Sequence, residues 1–374
     1  MDRSQLKKLK VAIIHDSLTE AGGAERVLEE MLKIFPQADL YTSFVRKTPQ
    51  LRNIIKKVKK SWKGIPFINI YKTISKLFVY QYWESLDLSK YQIVISSSDA
   101  LSPKSVLTSP STLHVCYCHT PPKFLYPEYP PVDETRISLR FRTKVLLSIL
   151  RAYDYIAAQR PDIFIANSET VKARINKYYR RDATVIYPPV DVPAYKPTKD
   201  NLGDYYVYIG KLQGSKGVKL AIEACNKLKR KLIVIGDGWQ KKELKKVSGR
   251  HIKLLGFISD KAKIAYLKKA KGFIFPSRDE DFGIAPVEAM AYGVPVIAYY
   301  SGGPRETIVE GKTGIFFKKY STGALIDAIK RFEKIHFDPM SCYKQAAKYS
   351  KEKFRENMLK FITNEYDKHK KNNK

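Results

Sequence analysis

Residues 272–293 read GFIFPSRDEDFGIAPVEAMAYG, and the order of residue types along them sets an architecture. Gly272–Phe275 is a short apolar run, the right length for a buried strand and too short for a helix. The polar stretch that follows closes on Gly283, which permits a tight approach of the backbone to another group. Pro286 suits the first turn of a helix, and Glu288 is expected in that same turn. Strand, loop and helix in that order place the loop at the C-terminal edge of a parallel sheet, where free N–H groups of the helix meet an anion. Glu280 lies on the loop and Glu288 eight residues later, so two carboxylates can accept hydrogen bonds from different hydroxyls of one ligand. Phe282, Gly283 and Ile284, between them, are counted with the same ligand site.

Working outward, short apolar runs rich in β-branched residues recur on both sides. Val11–Ile14, Ile93–Ser96, Val115–Cys118, Ile163–Ala166 and Thr184–Tyr187 are expected strands of the first half. Tyr206–Ile209, Leu232–Ile235, Ile252–Leu254 and Val294–Ala298 are expected in the second half beside Gly272–Phe275. Apolar residues at three- and four-residue spacing between them predict helices over Ala24–Phe35, Val218–Leu228 and Ala262–Ala270. Strands alternating with helices give an α/β, doubly wound fold.

The pattern restarts after Tyr187–Lys199, YPPVDVPAYKPTK, whose four prolines in thirteen residues cannot pair inside a sheet. The reading is therefore a domain over 1–190, a linker over 191–200, a second domain over 201–350, and a helix with a polar tail over 351–374. Between two such α/β domains, a cleft is the expected ligand site.

Three further stretches could serve an anionic ligand. GKLQGSKG, residues 210–217, follows a strand and precedes a helix, with Lys211 and Lys216 among three glycines. Its spacing is not that of a Walker loop. AGGAER, residues 21–26, opens a helix after the first strand, and Gly22 and Gly23 leave room for a ligand against the backbone. It is too short for a dinucleotide fingerprint. His119 ends the strand Val115–Cys118 and so sits at a sheet's C-terminal edge. Asp279-Glu280-Asp281 spells D-x-D, but no second ligand cluster accompanies it, and metal ligation is not expected.

Composition bounds what the chain can be. Its 374 residues are 44% hydrophobic and 12% aromatic, enough for two cores, which excludes a disordered chain. No apolar run is long enough for a spanning helix, and Val11–Ile14 is too short for a secretory signal core, so a cytoplasmic protein is expected. Cys116, Cys118, Cys225 and Cys342 form no C-x-x-C pair and read as buried thiols. The net charge of +31 demands an anionic partner, and nucleic acid, an anionic membrane and a phosphorylated substrate all qualify. Arg46–Lys63 holds eight basic residues and no acid, with Ile54, Ile55, Val58 and Trp62 at helix-like spacing. Arg136–Arg151 holds five, alongside Leu139, Phe141, Val145, Leu146 and Leu150. Both are expected to be basic amphipathic helices able to lie on anionic headgroups.

Taken together, AGGAERVLEEM, CYCHTPPKFLY, RPDIFIANSETVKARI, VIYPPVDV, YIGKLQGSKG, VIGDGW, PSRDEDFGIAPVEAMAYGVPVIAYYSGGPRETI and EGKTGIFF resemble the retaining glycosyltransferases of family 4. These are the group 1 transferases, of GT-B fold, whose signature is Glu, seven residues, Glu. The wording of CYCHTPPKFLY and DEDFGIAPVEA is most similar to mannosyltransferase-like members. The resemblance implies two Rossmann-like domains facing a cleft and a nucleotide-diphosphate sugar as donor substrate, with no cofactor and no metal. It implies GDP-mannose as the first choice and UDP-sugars next, and a glycan or lipid-linked glycan as acceptor. By resemblance Lys211 and Lys216 neutralise the diphosphate; many relatives carry Arg at the first position. Glu280 matches the glutamate that holds the donor sugar, and Glu288 the one on the ribose hydroxyls. His119 matches the histidine beside the reaction centre, and Gly22 and Gly23 the loop over the phosphates. Gly302 and Gly303 fall in a glycine loop near the donor.

Three other classes compete with this reading. A nucleic-acid-binding protein fits the pI of about 9.7, yet no recognition helix, RNP sequence or zinc finger is present. An NAD enzyme or epimerase lacks the fingerprint, and Tyr349-x-x-x-Lys353 falls in the C-terminal helix. An inactive family member would not be expected to keep both glutamates and both lysines.

Overall fold

Strands form where β-branched and aromatic residues run together, and the computed structural model shows two parallel sheets built from them. It describes residues 6, 8–62, 75–126, 141–194, 197, 198 and 203–373. The described residues divide into two units: one takes those up to Pro189 together with Glu352 onward, and the other runs over Val190–Lys351.

Among the described residues, the first unit's sheet has the order β3-β2-β1-β4-β5-β6-β7. The strands are β1 (Val11–His15), β2 (Asp39–Thr42), β3 (Val58–Ser61), β4 (Ile93–Ser98), β5 (Leu113–Cys118), β6 (Ile163–Ala166) and β7 (Thr184–Val185). All pair in parallel. Strand order reverses between β1 and β4, which is the switch point where α/β sheets open a crevice beyond the strand ends. Alternation sorts β1 cleanly: Val11 and Ile13 pack on one face with Val27, Leu28 and Met31, and Ala12 and Ile14 on the other with Val79 and Trp83.

The helix Lys351–Asn372 completes that first face. Phe354, Met358, Ile362 and Tyr366, four residues apart, are buried in the same cluster as Val11 and Ile13. Arg355 Nη1 donates to Glu30 Oε2 at 2.7 Å, on a carboxylate that is 1% exposed. The stretch expected to be a polar tail is therefore helical through Asn372.

The second unit's sheet has the order β10-β9-β8-β11-β12-β13. Its strands are β8 (Tyr205–Ile209), β9 (Lys231–Ile235), β10 (Ile252–Gly256), β11 (Gly272–Phe275), β12 (Val296–Tyr299) and β13 (Gly314–Phe317). They too are parallel, and the order reverses between β8 and β11. The helices Val218–Leu228 and Thr322–Phe332 cover one face and share a core with Tyr206, Leu232 and Ile274.

Three expectations are corrected. Arg46–Lys63 is not an amphipathic helix: a single turn at Arg52–Ile55 gives way to β3, an edge strand paired with β2. Val58 there favours a strand, Lys59 and Lys60 project to solvent in the manner of a protected edge, and Trp62 stacks on Tyr82. Lys63 lies outside the described residues, as do residues 136–140 of the second basic segment, whose remainder belongs to the helix Phe141–Ala157. The helix after β11 begins at Ile284, so Pro286 is its third residue and Glu288 falls in the second turn. The sequence reading also passed over β2, β3 and β13. The four cysteines are free and buried, with Cys116 and Cys118 on one face of β5 and burial pushing the Cys116 thiol up to about 12. No helix among the described residues is long and apolar enough to cross a membrane.

Candidate active site

The loops after β8 and β11 lie together because their parent strands are neighbours. Gly217 carries φ +68°, and a Cβ there would come within 2.4 Å of the Pro276 carbonyl. Only glycine lets the two loops touch, and the Arg278 N–H donates to the Ser215 carbonyl at 3.0 Å across the join. Tyr208, buried on β8, donates its hydroxyl to the Lys211 carbonyl at 3.2 Å. This fastens the glycine-rich loop to its strand.

That contact brings two of the candidate residues into one ion pair. Lys216 Nζ stands 2.6 Å from Glu280 Oε2, and the same oxygen accepts the Ser277 hydroxyl at 2.9 Å. Burial would lower the lysine's pKa, but Glu280, with Asp281 and Asp279 behind it, outweighs this and holds it above the ordinary value. Lys216 is thus a fixed cation, and its neighbours are hydrogen-bonded in turn. The Gly303 N–H donates to the Glu280 carbonyl at 3.0 Å. A Cβ at Gly302, where φ is +61°, would fall 2.0 Å from that carbonyl oxygen. Asp279, itself at φ +58°, donates its N–H to Ser301 Oγ at 3.4 Å.

Gly283, at φ +85°, is the N-cap of the helix Ile284–Ala291. Phe282 is buried with its ring 5.4 Å from that of Tyr349, and Ile284 is half-buried. Glu288 is 9% exposed, with Lys263 Nζ at 4.0 Å from its carboxylate. Lys211 is exposed on the loop. Beyond β9, Gly236 and Gly238 press on the same loop: added Cβ atoms would fall 1.9 Å from the Gly210 carbonyl oxygen and 2.3 Å from that of Leu212. Trp239 and Phe257, which follow, stand 56% and 74% exposed.

The first unit gathers the remaining candidates along the C-terminal edge of its own sheet, after β1 and β5. His119 follows β5 and is 8% exposed; its backbone is pinned by its N–H to Ser98 and by the Asn167 amide on its carbonyl at 2.8 Å. Burial drives its imidazole pKa down to about 3, so the ring is neutral. Gly22 caps the helix Gly23–Ile34, and the Gly22 N–H donates to the Glu25 carboxylate at 2.8 Å; Gly23 is exposed.

Ser277, Ser301, Tyr208, Lys263 and Asn167 escaped the sequence reading. Ser301, Lys263 and Asn167 act through contacts distant along the chain, Ser277 and Tyr208 through bonds three residues on, and periodicity carries no signal of either. Among the described residues no group of three or more His, Cys, Asp or Glu side chains is arranged to hold a metal.

Two family profiles match the chain over nearly all its length. Glycosyltransferase Family 4 covers residues 21–193, and Glycosyl transferases group 1 covers residues 196–356. An uncharacterized glycosyltransferase of Methanocaldococcus jannaschii is 31% identical over 46% of this chain and half of its own length. The alpha-1,3/1,6-mannosyltransferase ALG2 of Saccharomyces cerevisiae is 27% identical over 80% of the chain and 71% of its own. That of Kluyveromyces lactis is 24% identical over 83% and 73%. Among solved structures, Anabaena Alr3699/HepE in complex with UDP and glucose aligns over 95% of this chain and 99% of its own, with a TM-score of 0.69 at 17% identity. The lipopolysaccharide outer core galactosyltransferase WaaB aligns over 96% and 100%, with a TM-score of 0.66 at 18%. At such identities the structural likeness speaks to fold.

Proposed function

Since the chain belongs to the family 4 glycosyltransferases of GT-B fold, we propose that it moves a hexose from a nucleotide-diphosphate sugar to a glycan or lipid-linked glycan, with retention and without a metal. Mannose from GDP-mannose is the preferred donor reading, on the strength of the similarity to the ALG2 mannosyltransferases; UDP-sugars come next. The observation that carries the proposal is the ion pair of Lys216 and Glu280 on two glycine-fitted loops.

Breaking the bond between sugar and phosphate puts negative charge on the departing nucleotide diphosphate. A cation already fixed in place stabilises that charge without having to reorganise, and such preorganised electrostatics commonly contribute more to catalysis than any other effect. Lys216 supplies it, with Lys211 on the same loop and the free N–H groups after Gly283 as further donors. Glu280 holds Lys216 in position and, by the family resemblance, takes the hydroxyls of the donor sugar, while Glu288 takes the ribose hydroxyls. Trp239 and Phe257 offer exposed rings to the base. By the family resemblance, His119 is assigned to the sugar, and Gly22 and Gly23 to the phosphates. The leaving phosphate oxygen then accepts the proton of the attacking acceptor hydroxyl, so the sugar's new bond forms on the face from which the old one departs.

The acceptor reading extends to where the enzyme works. On the helix Phe141–Ala157, Val145, Ile149, Tyr153 and Ile156 share one exposed face, and Lys144 is exposed beside them. Apolar and basic residues on one helix face support docking on an anionic membrane, from the cytoplasmic side, where a lipid-linked acceptor is carried.

Thermal-shift screening against a panel of sugar nucleotides tests the donor assignment. A ligand at one hundred times its Kd stabilises by about 2.7 kcal/mol, and GDP-mannose is expected to give the largest shift. Transfer that survives a chelator supports the metal-free reading, and loss with rescue by magnesium or manganese overturns it. Co-sedimentation with vesicles is expected to rise with their anionic lipid content, and indifference to that content overturns the docking.

A further inference from the structure

Three neighbouring strands of the first unit bring two imidazoles and a hydroxyl into one buried file. His15 ends β1, Ser97 is the fifth residue of β4, and His119 follows β5. His15 Nδ1 lies 3.0 Å from Ser97 Oγ, and Ser97 Oγ lies 2.8 Å from His119 Nε2. His15 and Ser97 are fully buried. On the far side of His15, Nε2 faces Glu25 Oε1 at 3.9 Å and has no hydrogen-bond partner. The other carboxylate oxygen of Glu25 is the one that accepts the Gly22 N–H.

A serine hydroxyl has one proton, so Ser97 can donate to only one of the two rings and must accept from the other. The file can therefore run in either direction, and the two directions leave His119 with opposite chemistry. From this geometry we infer that Glu25 sets the direction through His15, so that His119 offers a bare Nδ1 as a hydrogen-bond acceptor for a sugar hydroxyl. The steps follow from the partners. With its proton on Nε2, toward the carboxylate, His15 accepts the Ser97 O–H at Nδ1. Ser97 in turn accepts the proton of His119 Nε2–H, which leaves Nδ1 of His119 with its lone pair. The reverse direction would aim the lone pair of His15 Nε2 at a carboxylate, or else place a cation in the sheet. His15, Ser97 and Glu25 are positioning residues in this scheme.

The functional half rests on the reading of His119 at the donor sugar; the proton arrangement stands apart from it. Nitrogen NMR of histidine-labelled protein tests the arrangement directly. His119 is expected to carry its proton on Nε2, and Ser97→Ala is expected to shift it towards a mixture of tautomers. A wild-type ring protonated on Nδ1, or one unchanged by Ser97→Ala, overturns the inference.

Kinetics test the consequence. Ser97→Ala and His15→Phe should each lower kcat about tenfold, with the affinity for GDP and UDP unchanged and with Ser97→Thr restoring turnover. In a His119→Ala background, Ser97→Ala is expected to cost nothing more. Multiplying losses would show that Ser97 acts independently of His119 and overturn the relay. Wild-type turnover in His119→Ala alone would overturn the role of His119 at the sugar, and with it the functional half, whatever the nitrogens report.

Discussion

The two units place opposite kinds of chemistry at the same edge of the same architecture. At the switch point of the second sheet, Lys216 and Glu280 are charged, half-exposed and paired at 2.6 Å. At the same edge of the first, one strand beyond its switch point, His119 is neutral, buried and held through a hydroxyl. A charged pair suits a partner whose negative charge grows during reaction, because a preorganised cation gains most there. A neutral imidazole suits a hydroxyl, to which it can donate or accept according to its tautomer. The fold repeats, and the division of labour between charge and hydrogen bonding comes from the residues placed at its edge.

The largest effect should come from breaking the charged side of that comparison. Lys216→Ala or Glu280→Gln is expected to cut turnover by about 10²–10³, with the circular-dichroism spectrum and melting transition of the wild type retained. Either variant turning over at the wild-type rate breaks the assignment.

Acid should separate the units next. Burial drives His119 and His114 to about 3, the latter also under repulsion from Arg160 and Arg181. An unfolded chain protonates both rings near pH 6.5 while the folded one does not, so their contribution is complete above that pH and is lost as pH falls towards 3. The first unit is expected to lose about 1 kcal/mol per ring for each pH unit below 6, read by urea unfolding followed at its tryptophans Trp62 and Trp83.

Base recognition offers a smaller effect. Phe257→Ala should weaken nucleotide binding about tenfold if its exposed ring stacks on the base, since such stacking is worth about 1–3 kcal/mol. Calorimetry with GDP and UDP measures it, and unchanged affinity places the base elsewhere.

The smallest belongs to Glu333, held at about 2 by Arg230 first, then by Lys271 and Tyr206 against the effect of burial. Its depressed value means stability present above the unfolded carboxyl's pKa of about 4.5 and lost between there and 2. After allowance for solvent screening this is worth about 1 kcal/mol, visible as a second-unit transition that weakens below pH 4.5.

Much of this comparison could be read from residue order. Runs such as Ile93–Ser96 and Tyr206–Ile209 announce buried parallel strands because both faces must be apolar, and GKLQGSKG and DEDFGIAPVE announce loops at their ends. β2 and β3 were hidden because DLYT and VKKS lack that run; pairing with a neighbour makes them strands, not their own propensity. The same tertiary preference turned Arg46–Lys63 from an expected helix into an edge. At the site, lysines and glutamates stand out as charges among glycines, whereas Ser97 sits in a run of three serines and His15 ends an apolar strand. What singles them out is a 2.8 Å and a 3.0 Å contact across strands separated by tens of residues, and only the folded register supplies it.

The helix Lys351–Asn372 has a consequence for how the molecule comes into being. Its apolar residues complete a core whose other members come from Leu6 through Ile186. A ribosome will therefore have released the whole second unit while one face of the first sheet is still incompletely covered, an order that reverses the usual N-to-C progression of domain folding. Val190–Lys351 is the portion suited to independent expression, whereas any fragment ending near Pro189 would lack Phe354, Met358, Ile362 and Tyr366 from the cluster of Val11, Ile13 and Leu28.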